Sequence, residues 1–88
     1  MSYSYYEYFE YHSKLIIETE YKIKYPLHWA AKNDDYALCE KLLQKKYDPN
    51  EFDSKGFTAY YYVLQGSNIG LSILFENYGA TYARVRKN

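Results

Sequence analysis

The side chains that could act as nucleophiles or metal ligands are few and widely spaced. The chain contains one cysteine, Cys39, and two histidines, His12 and His28. A structural zinc site needs four converging ligands, and a catalytic nucleophile needs a base held against it. Gly66 and Gly70 lack the context of a phosphate-binding loop. We therefore predict no catalytic residue, no metal site, no cofactor and no small-molecule substrate, that is, a protein that is not an enzyme.

Two of these three side chains are better explained by structure. Cys39 lies on an apolar stripe with Leu38, Leu42 and Leu43 at helical spacing, so we interpret it as a small core residue rather than a reactive thiol. His12 falls on a predicted N-terminal helix, where a packed or surface role is favoured over a ligand role.

Composition and charge narrow the class of protein. The 88 residues suffice for one domain, and 11 basic and 11 acidic residues balance to a net charge of zero. That balance argues against long-range attraction to nucleic acid or to an anionic membrane. No apolar run approaches the roughly 20 residues that span a bilayer. A single cysteine suits a reducing compartment. We expect a soluble, intracellular, cytoplasmic protein, with attachment to a large cytoskeletal or organellar assembly left open.

Tyrosine is strongly over-represented. Aromatic residues make up 22% of the chain, and 14 of them are tyrosines. One explanation is an AT-rich genome, whose codons favour this residue. The other is use at interfaces, where tyrosine is enriched. Both stay open at this point.

A repeat of 33 residues organises the chain, with one copy starting at Tyr25 and the next at Thr58. The pieces "YPLHWA" (25–30), "LLQKKYDPN" (42–50) and "DSKGFTAY" (53–60) occur in a fixed order. Together they resemble the ankyrin repeat, whose period and T-P-L-H-x-A signature they share. The resemblance implies an all-α fold: a short ankyrin-repeat solenoid of helix-turn-helix units joined by β-turn fingers. It also implies that His28 supports its turn through hydrogen bonds.

The residues favour the same helices without the resemblance. Pro26 suits the first turn of a helix, where a missing N–H costs nothing. Asp35 and Thr58 are suitable N-caps, as is either Ser67 or Asn68, and Gly66 is a suitable helix end. These patterns predict two helix pairs, one in each copy.

Several residues depart from the family pattern. Tyr25 replaces the capping Thr, Ala59 replaces the Pro, and Tyr60 and Tyr61 stand in place of Leu-His. Lys46 stands at a position usually held by Gly, where a left-handed backbone is expected. The repeats are degenerate, and we expect them to be less stable than idealised ones.

The register can be carried back to the N-terminus. There "YYEYFEYHS" (5–13) falls where an outer helix belongs, with Tyr5, Tyr8, Phe9 and His12 on one face. We predict that this face packs on the first full repeat. The resulting single domain, 1–88, divides into a half-repeat cap (1–19), repeat 1 (20–52), repeat 2 (53–81) and a tail (82–88). Such arrays generally need three or more repeats, so we expect a partner chain or a second copy to cover part of this one.

The resemblance also indicates where a partner protein would bind. Ankyrin-like proteins generally bind through finger tips and the exposed face of the inner helices. Those positions here are Tyr21, Lys22, Lys24, Trp29, Lys32, Asn33, Ser54, Lys55, Phe57, Tyr62 and Gln65. Trp29 and Phe57 are candidate anchors; for Trp29, packing against its own finger is an equal alternative. Four of the positions are lysines, which would favour an acidic or aromatic-lined partner surface.

The leading hypothesis is a non-enzymatic protein-interaction module that serves as a small structural or scaffolding subunit of a larger assembly. The alternative is a free-standing adaptor or inhibitor that binds one target protein transiently. A nucleic-acid binder, the third class, would show steeply salt-dependent binding.

Overall fold

The computed structural model describes residues 17–82. The described residues form five helices: α1 over residues 17–24, α2 (Pro26–Lys32), α3 (Tyr36–Gln44), α4 (Ala59–Gln65) and α5 (Ile69–Asn77). Within this range the only β feature is an isolated antiparallel bridge between Phe52 and Thr58. The predicted all-α class is confirmed. The predicted packing face of the half-repeat, residues 5–12, lies outside the described residues, as does nearly all of the tail.

The two helix pairs repeat with the predicted period. Helices α2 and α4 have equal lengths and start 33 residues apart, and so do α3 and α5. The outer helices are capped alike. The Asp35 carboxylate accepts from Leu38 N at 3.1 Å, and the Asn68 side chain accepts from Leu71 N at 3.0 Å. Equivalent caps at equivalent positions give each repeat the same turn between its inner and outer helix.

The inner helices begin differently because their first residues differ. In α4 the Thr58 hydroxyl accepts from Tyr61 N at 3.0 Å, so the predicted cap is confirmed. In α2 the corresponding residue is Tyr25, whose side chain caps nothing. Instead, Tyr25 N donates to Tyr21 O at 2.7 Å and Trp29 N donates to Tyr25 O at 2.9 Å. Helical hydrogen bonding thus continues from α1 towards α2, interrupted at Pro26, which has no N–H to donate.

The prediction of a β-turn finger in repeat 1 is wrong. Residues 17–24 are helical, so Tyr21, Lys22 and Lys24 project from α1 and not from a β-turn. The reason lies in one position. The finger of repeat 2 turns at Gly56, which has a φ of +87°, and 33 residues earlier the chain has Ile23. A β-branched residue strongly resists that conformation, so the first segment cannot make the same turn.

The core of the described residues lies between the two helix pairs. Small residues, Ala30, Ala31 and Ala59, sit where the inner helices approach one another, and Leu71 and Phe75 fill the space behind them. All five are 3% exposed or less. Cys39 is fully buried, which agrees with its assignment as a core residue.

The outer helices end in the expected left-handed turn. Lys46 has a φ of +76° and Gly79, its counterpart one repeat later, a φ of +89°. The repeats are also tied at this side by Asn50. Its side chain donates to Gly79 O at 3.0 Å and accepts from Thr81 N at 2.9 Å. The two repeats are therefore joined by polar contacts as well as by the core.

Candidate functional site: the inner-helix face

The inner-helix face is the surface formed by α1, α2, α4 and the finger at residues 52–58. Trp29 and Tyr62 occupy equivalent positions on α2 and α4, and so do Lys32 and Gln65. Trp29 and Tyr62 are half-buried, whereas Lys32 and Gln65 are exposed. A shallow groove of about 320 Å³ runs between the two helices, lined by Ala31, Lys32, Asp34, Tyr62, Gln65 and Gly66. The structure thus brings three of the sequence-predicted positions together around one groove.

The finger is organised by one buried carboxylate. Asp53 is 6% exposed, and its Oδ1 accepts from Lys55 N at 2.9 Å and from Phe57 N at 3.0 Å. The other oxygen, Oδ2, accepts from the Tyr21 hydroxyl at 2.9 Å and the Tyr62 hydroxyl at 2.6 Å. One side chain therefore shapes the finger and attaches it to both α1 and α4.

These hydrogen bonds change the acidity of the groups involved. Burial alone would raise the pKa of Asp53, but the bonds from Tyr62, the Phe57 amide, Tyr21 and the Lys55 amide outweigh it and lower that pKa. Burial and the bond to Asp53 raise the pKa of Tyr62 to about 12, and the same causes raise the pKa of Tyr21. At neutral pH this is an ionised carboxylate held by two neutral phenols.

A lysine lies against both of those phenols. The Lys32 ammonium is 4.5 Å from the centre of the Tyr21 ring and 5.2 Å from the centre of the Tyr62 ring. Both distances are within the range of cation–π attraction. These contacts among Tyr21, Lys32, Asp53 and Tyr62 join four elements: α1, the end of α2, the finger and α4.

His28 supports the finger from beneath. The imidazole is 1% exposed, and its Nε2 lies 3.0 Å from Glu51 O and 3.1 Å from Phe57 O. Both partners are carbonyl oxygens that only accept, so Nε2 must carry the proton and donate to both. His28 has the structural role that the sequence implied. Its counterpart in repeat 2 is Tyr61, which faces no such finger within the described residues.

The two candidate anchors are half-buried rather than fully exposed. The Phe57 ring stacks on Tyr61 with centroids 4.2 Å apart and an interplanar angle of 13°, and meets Tyr62 edge-on at 5.8 Å. Trp29 lies under the Lys22 ammonium, 5.9 Å from it. Since the segment before Trp29 is a helix, the interpretation that this ring packs against its own finger is wrong.

The remaining predicted positions divide into two groups. Lys22 and Lys24 on α1 and Ser54 and Lys55 at the finger tip are exposed. Asn33 ends α2, where its side-chain amide donates to Trp29 O at 2.8 Å. The selection of these residues as a binding surface stays a prediction.

Sequence reasoning missed Asp53 and Tyr25 as members of this face. Asp53 could have been found, because an Asp three residues before a Gly in a tight turn commonly accepts backbone hydrogen bonds. Tyr25 contacts Tyr21 and His28 at centroid distances of 5.4 and 5.3 Å. No sequence pattern signals that contact.

Other kinds of site are not seen over residues 17–82. That range contains no group of three or more His, Cys, Asp or Glu side chains arranged to hold a metal ion. Nor does it contain a helix whose length and apolar character would allow it to cross a membrane. Burial raises the pKa of the Cys39 thiol to about 12, with Asp35 and Asp34 adding to the effect. Such a thiol is a poor nucleophile.

Comparison with known proteins agrees with the fold. A family model described as "Ankyrin repeats (many copies)" matches residues 27–76, which is more than half of the chain. No curated protein and no solved structure matches at a significant level. The matched segment covers nearly all of both helix pairs and the whole finger, and the chain belongs to the ankyrin-repeat family.

Proposed function

We propose that this chain is a non-enzymatic protein-interaction module that serves as a small, fixed subunit of a larger protein assembly. Ankyrin repeats act by binding other proteins, so that coarser role follows from family membership. The observation that carries the finer proposal is the amount of apolar surface left uncovered. On α5, the last described helix, Ile69 and Ile73 are 75% and 52% exposed. Exposed apolar side chains grouped on one helix mark protein–protein contact surfaces, so this side of α5 suits coverage by another chain.

Besides the exposed side of α5, the proposed binding surface includes the inner-helix face. Trp29 and Phe57 are half-buried, and Phe57 is held by its stack on Tyr61, so little side-chain entropy is lost when a partner covers Phe57. Lys22, Lys24 and Lys55 are exposed around them. Half-buried aromatic anchors surrounded by lysines fit a partner surface that is acidic with apolar pockets. An intracellular location is part of the proposal, since the one thiol needs no oxidising compartment.

The test is copurification from the native source followed by reconstitution. We expect a partner protein in fixed stoichiometry, and we expect the double variant Trp29→Ala and Phe57→Ala to lose it. The matched control is Tyr36→Ala, which removes an exposed aromatic ring from the outer helix α3, away from the inner-helix face. Equal recovery of the partner with the double variant and the control would contradict the assigned surface.

Sedimentation and thermal melting separate the fixed subunit from a free-standing adaptor or inhibitor. A fixed subunit is expected to self-associate or to melt at low temperature when isolated, because its uncovered apolar residues lack their partner. A stable, soluble monomer would favour the adaptor, which has a preformed groove between α2 and α4.

A further inference from the structure

The groove between α2 and α4 carries opposite charges at two levels. At one level the Lys32 ammonium lies 5.2 Å from the centre of the Tyr62 ring. At the other, the Asp34 carboxylate lies beside Gly66, where an added methyl group would be 3.9 Å from Asp34 Oδ1. Tyr62 and Gly66 are four residues apart on α4 and its C-cap, which is about 6 Å along a helix. The groove therefore presents a cation and, about one helical turn away, an anion.

Both charges are available to another molecule. The Lys32 and Asp34 side chains are exposed, and within residues 17–82 neither takes part in an ion pair. Asp35, the next residue along, is different, because its carboxylate is used to cap α3. The Lys32 ammonium is also held in position by two tyrosine rings, at 4.5 and 5.2 Å. A charge that is already oriented loses less freedom when an opposite charge binds to it.

The floor of the groove is kept open by small residues. Ala31, which lines it, is 3% exposed. Gly66 has φ −90° and ψ −174°, a backbone conformation that residues with a Cβ also adopt. A Cβ at this position would make ordinary contacts only, the nearest at 3.6 Å from Val63 O. The turn therefore does not require glycine at residue 66, and its effect is to leave space in the groove next to Asp34.

We propose that this groove binds a partner helix that presents an acidic and a basic residue four positions apart, the acid on Lys32 and the base on Asp34. Residues at i and i+4 of a helix have Cβ atoms about 5–6 Å apart, which matches the spacing of the two charges. Helices commonly bind other proteins by lying in a groove. The proposal deepens the proposed function by naming the partner's chemistry, and it rests on that function only for the natural partner.

The first arm of the test uses a synthetic helix as the probe. It is an alanine- and glutamine-based peptide of about 17 residues, long enough to be helical, with one glutamate and one lysine four positions later. We expect saturable NMR shifts of the Gln65 and Gly66 amides with a dissociation constant on the order of 1 mM, weakening as salt is added. A peptide of equal composition with the two charges two positions apart presents only one of them to the groove. It should bind about fivefold more weakly, and equal binding would overturn the proposal.

The second arm changes the charges of the groove. Lys32→Glu makes both levels negative, so it should lose the glutamate–lysine peptide and gain a peptide with lysine at both positions. Lys41→Glu is the matched control, since it makes the same change of net charge at an exposed position of α3. Because Lys32→Glu also removes two ring contacts, Asp34→Asn is a second variant; asparagine is tolerated at the φ of +58° found there. It should weaken the glutamate–lysine peptide about fivefold. Equal effects of Lys32→Glu and Lys41→Glu, or no effect of Asp34→Asn, would overturn the proposal.

The third arm fills the groove. Gly66→Ala should weaken peptide binding without lowering the melting temperature, because the backbone and the space both accept a Cβ. Unchanged binding would mean that the peptide lies elsewhere and would overturn the site. All three arms work without a natural partner. They can therefore fail while a copurified partner and its loss with Trp29→Ala and Phe57→Ala still support the proposed function.

Discussion

The Tyr62 hydroxyl donates to the Asp53 carboxylate at 2.6 Å, across the gap between the finger and α4. Short hydrogen bonds to ionised acceptors are among the stronger ones in proteins. It is one of four hydrogen bonds that the buried Asp53 carboxylate accepts. Because all four depend on that carboxylate, the geometry of the finger depends on the charge of Asp53.

Stability should therefore fall in acid through Asp53. Its folded pKa is lowered by its donors, so its contribution is present above the unfolded pKa of about 3.9 and is lost as the pH falls through the folded pKa. We expect Asp53→Asn to lower the free energy of unfolding at pH 7 by about 1–3 kcal/mol. Urea titrations should show the gap between wild type and variant narrowing in acid. A gap that stays constant would contradict this assignment.

His28 should contribute more to the free energy of unfolding than Tyr61, the residue at the same position in repeat 2. Removing its imidazole leaves the Glu51 carbonyl without this donor and the Phe57 carbonyl with the Asp53 amide as its remaining donor. We expect His28→Ala to cost about 2–4 kcal/mol. Tyr61→Ala is the comparison, since Tyr61 is partly exposed and contacts the finger through a ring stack with Phe57 and not through hydrogen bonds to its carbonyls. Chemical denaturation measures both, and a larger loss for Tyr61→Ala would contradict the role of His28.

Replacing Lys46 by glycine should stabilise the chain. It holds a φ of +76°, which is costly for a residue with a Cβ and free for glycine. We expect Lys46→Gly to raise the free energy of unfolding by about 0.5–1 kcal/mol. The adjacent Lys45, with a φ of −82°, has no such strain. Lys45→Gly should therefore destabilise the chain, and thermal melts that rank the two variants the other way would refute the argument.

Cys39 should be unreactive in the folded chain. Its thiol is fully buried and its pKa is raised to about 12, so almost none of it is thiolate near pH 8. Mass spectrometry after iodoacetamide treatment should show no alkylation in buffer and complete alkylation in concentrated urea. Rapid alkylation in buffer would mean that the core between the two helix pairs opens and exposes Cys39 to solvent.

Sequence patterns predicted the regular part of this structure well, because the signals are local. Caps at Asp35, Thr58 and Asn68 lie within three residues of the amides they bind. The left-handed turn at Lys46 followed from the family pattern, which usually has Gly at that position. Both features are formed by residues close to one another in sequence.

The inner-helix face was harder to predict for the opposite reason. Tyr21 and Asp53 are 32 residues apart, and their contact exists only because the first finger is replaced by a helix. That replacement was signalled by Ile23 standing in the place of a glycine, but the family resemblance outweighed the signal. The half-burial of Phe57 depends on a stack with Tyr61 that no pattern predicts.

The finger has a consequence for folding. Its backbone and its aspartate receive bonds from His28 and Tyr21 upstream and from Tyr62 downstream, over separations of 9 to 32 residues. Neither half of the chain contains all of these groups. Cleavage at the exposed tip, between Ser54 and Lys55, should therefore yield two fragments that are each unstructured and that refold on mixing. Cooperativity in this small array would then arise at a turn on its surface as much as in its apolar interior.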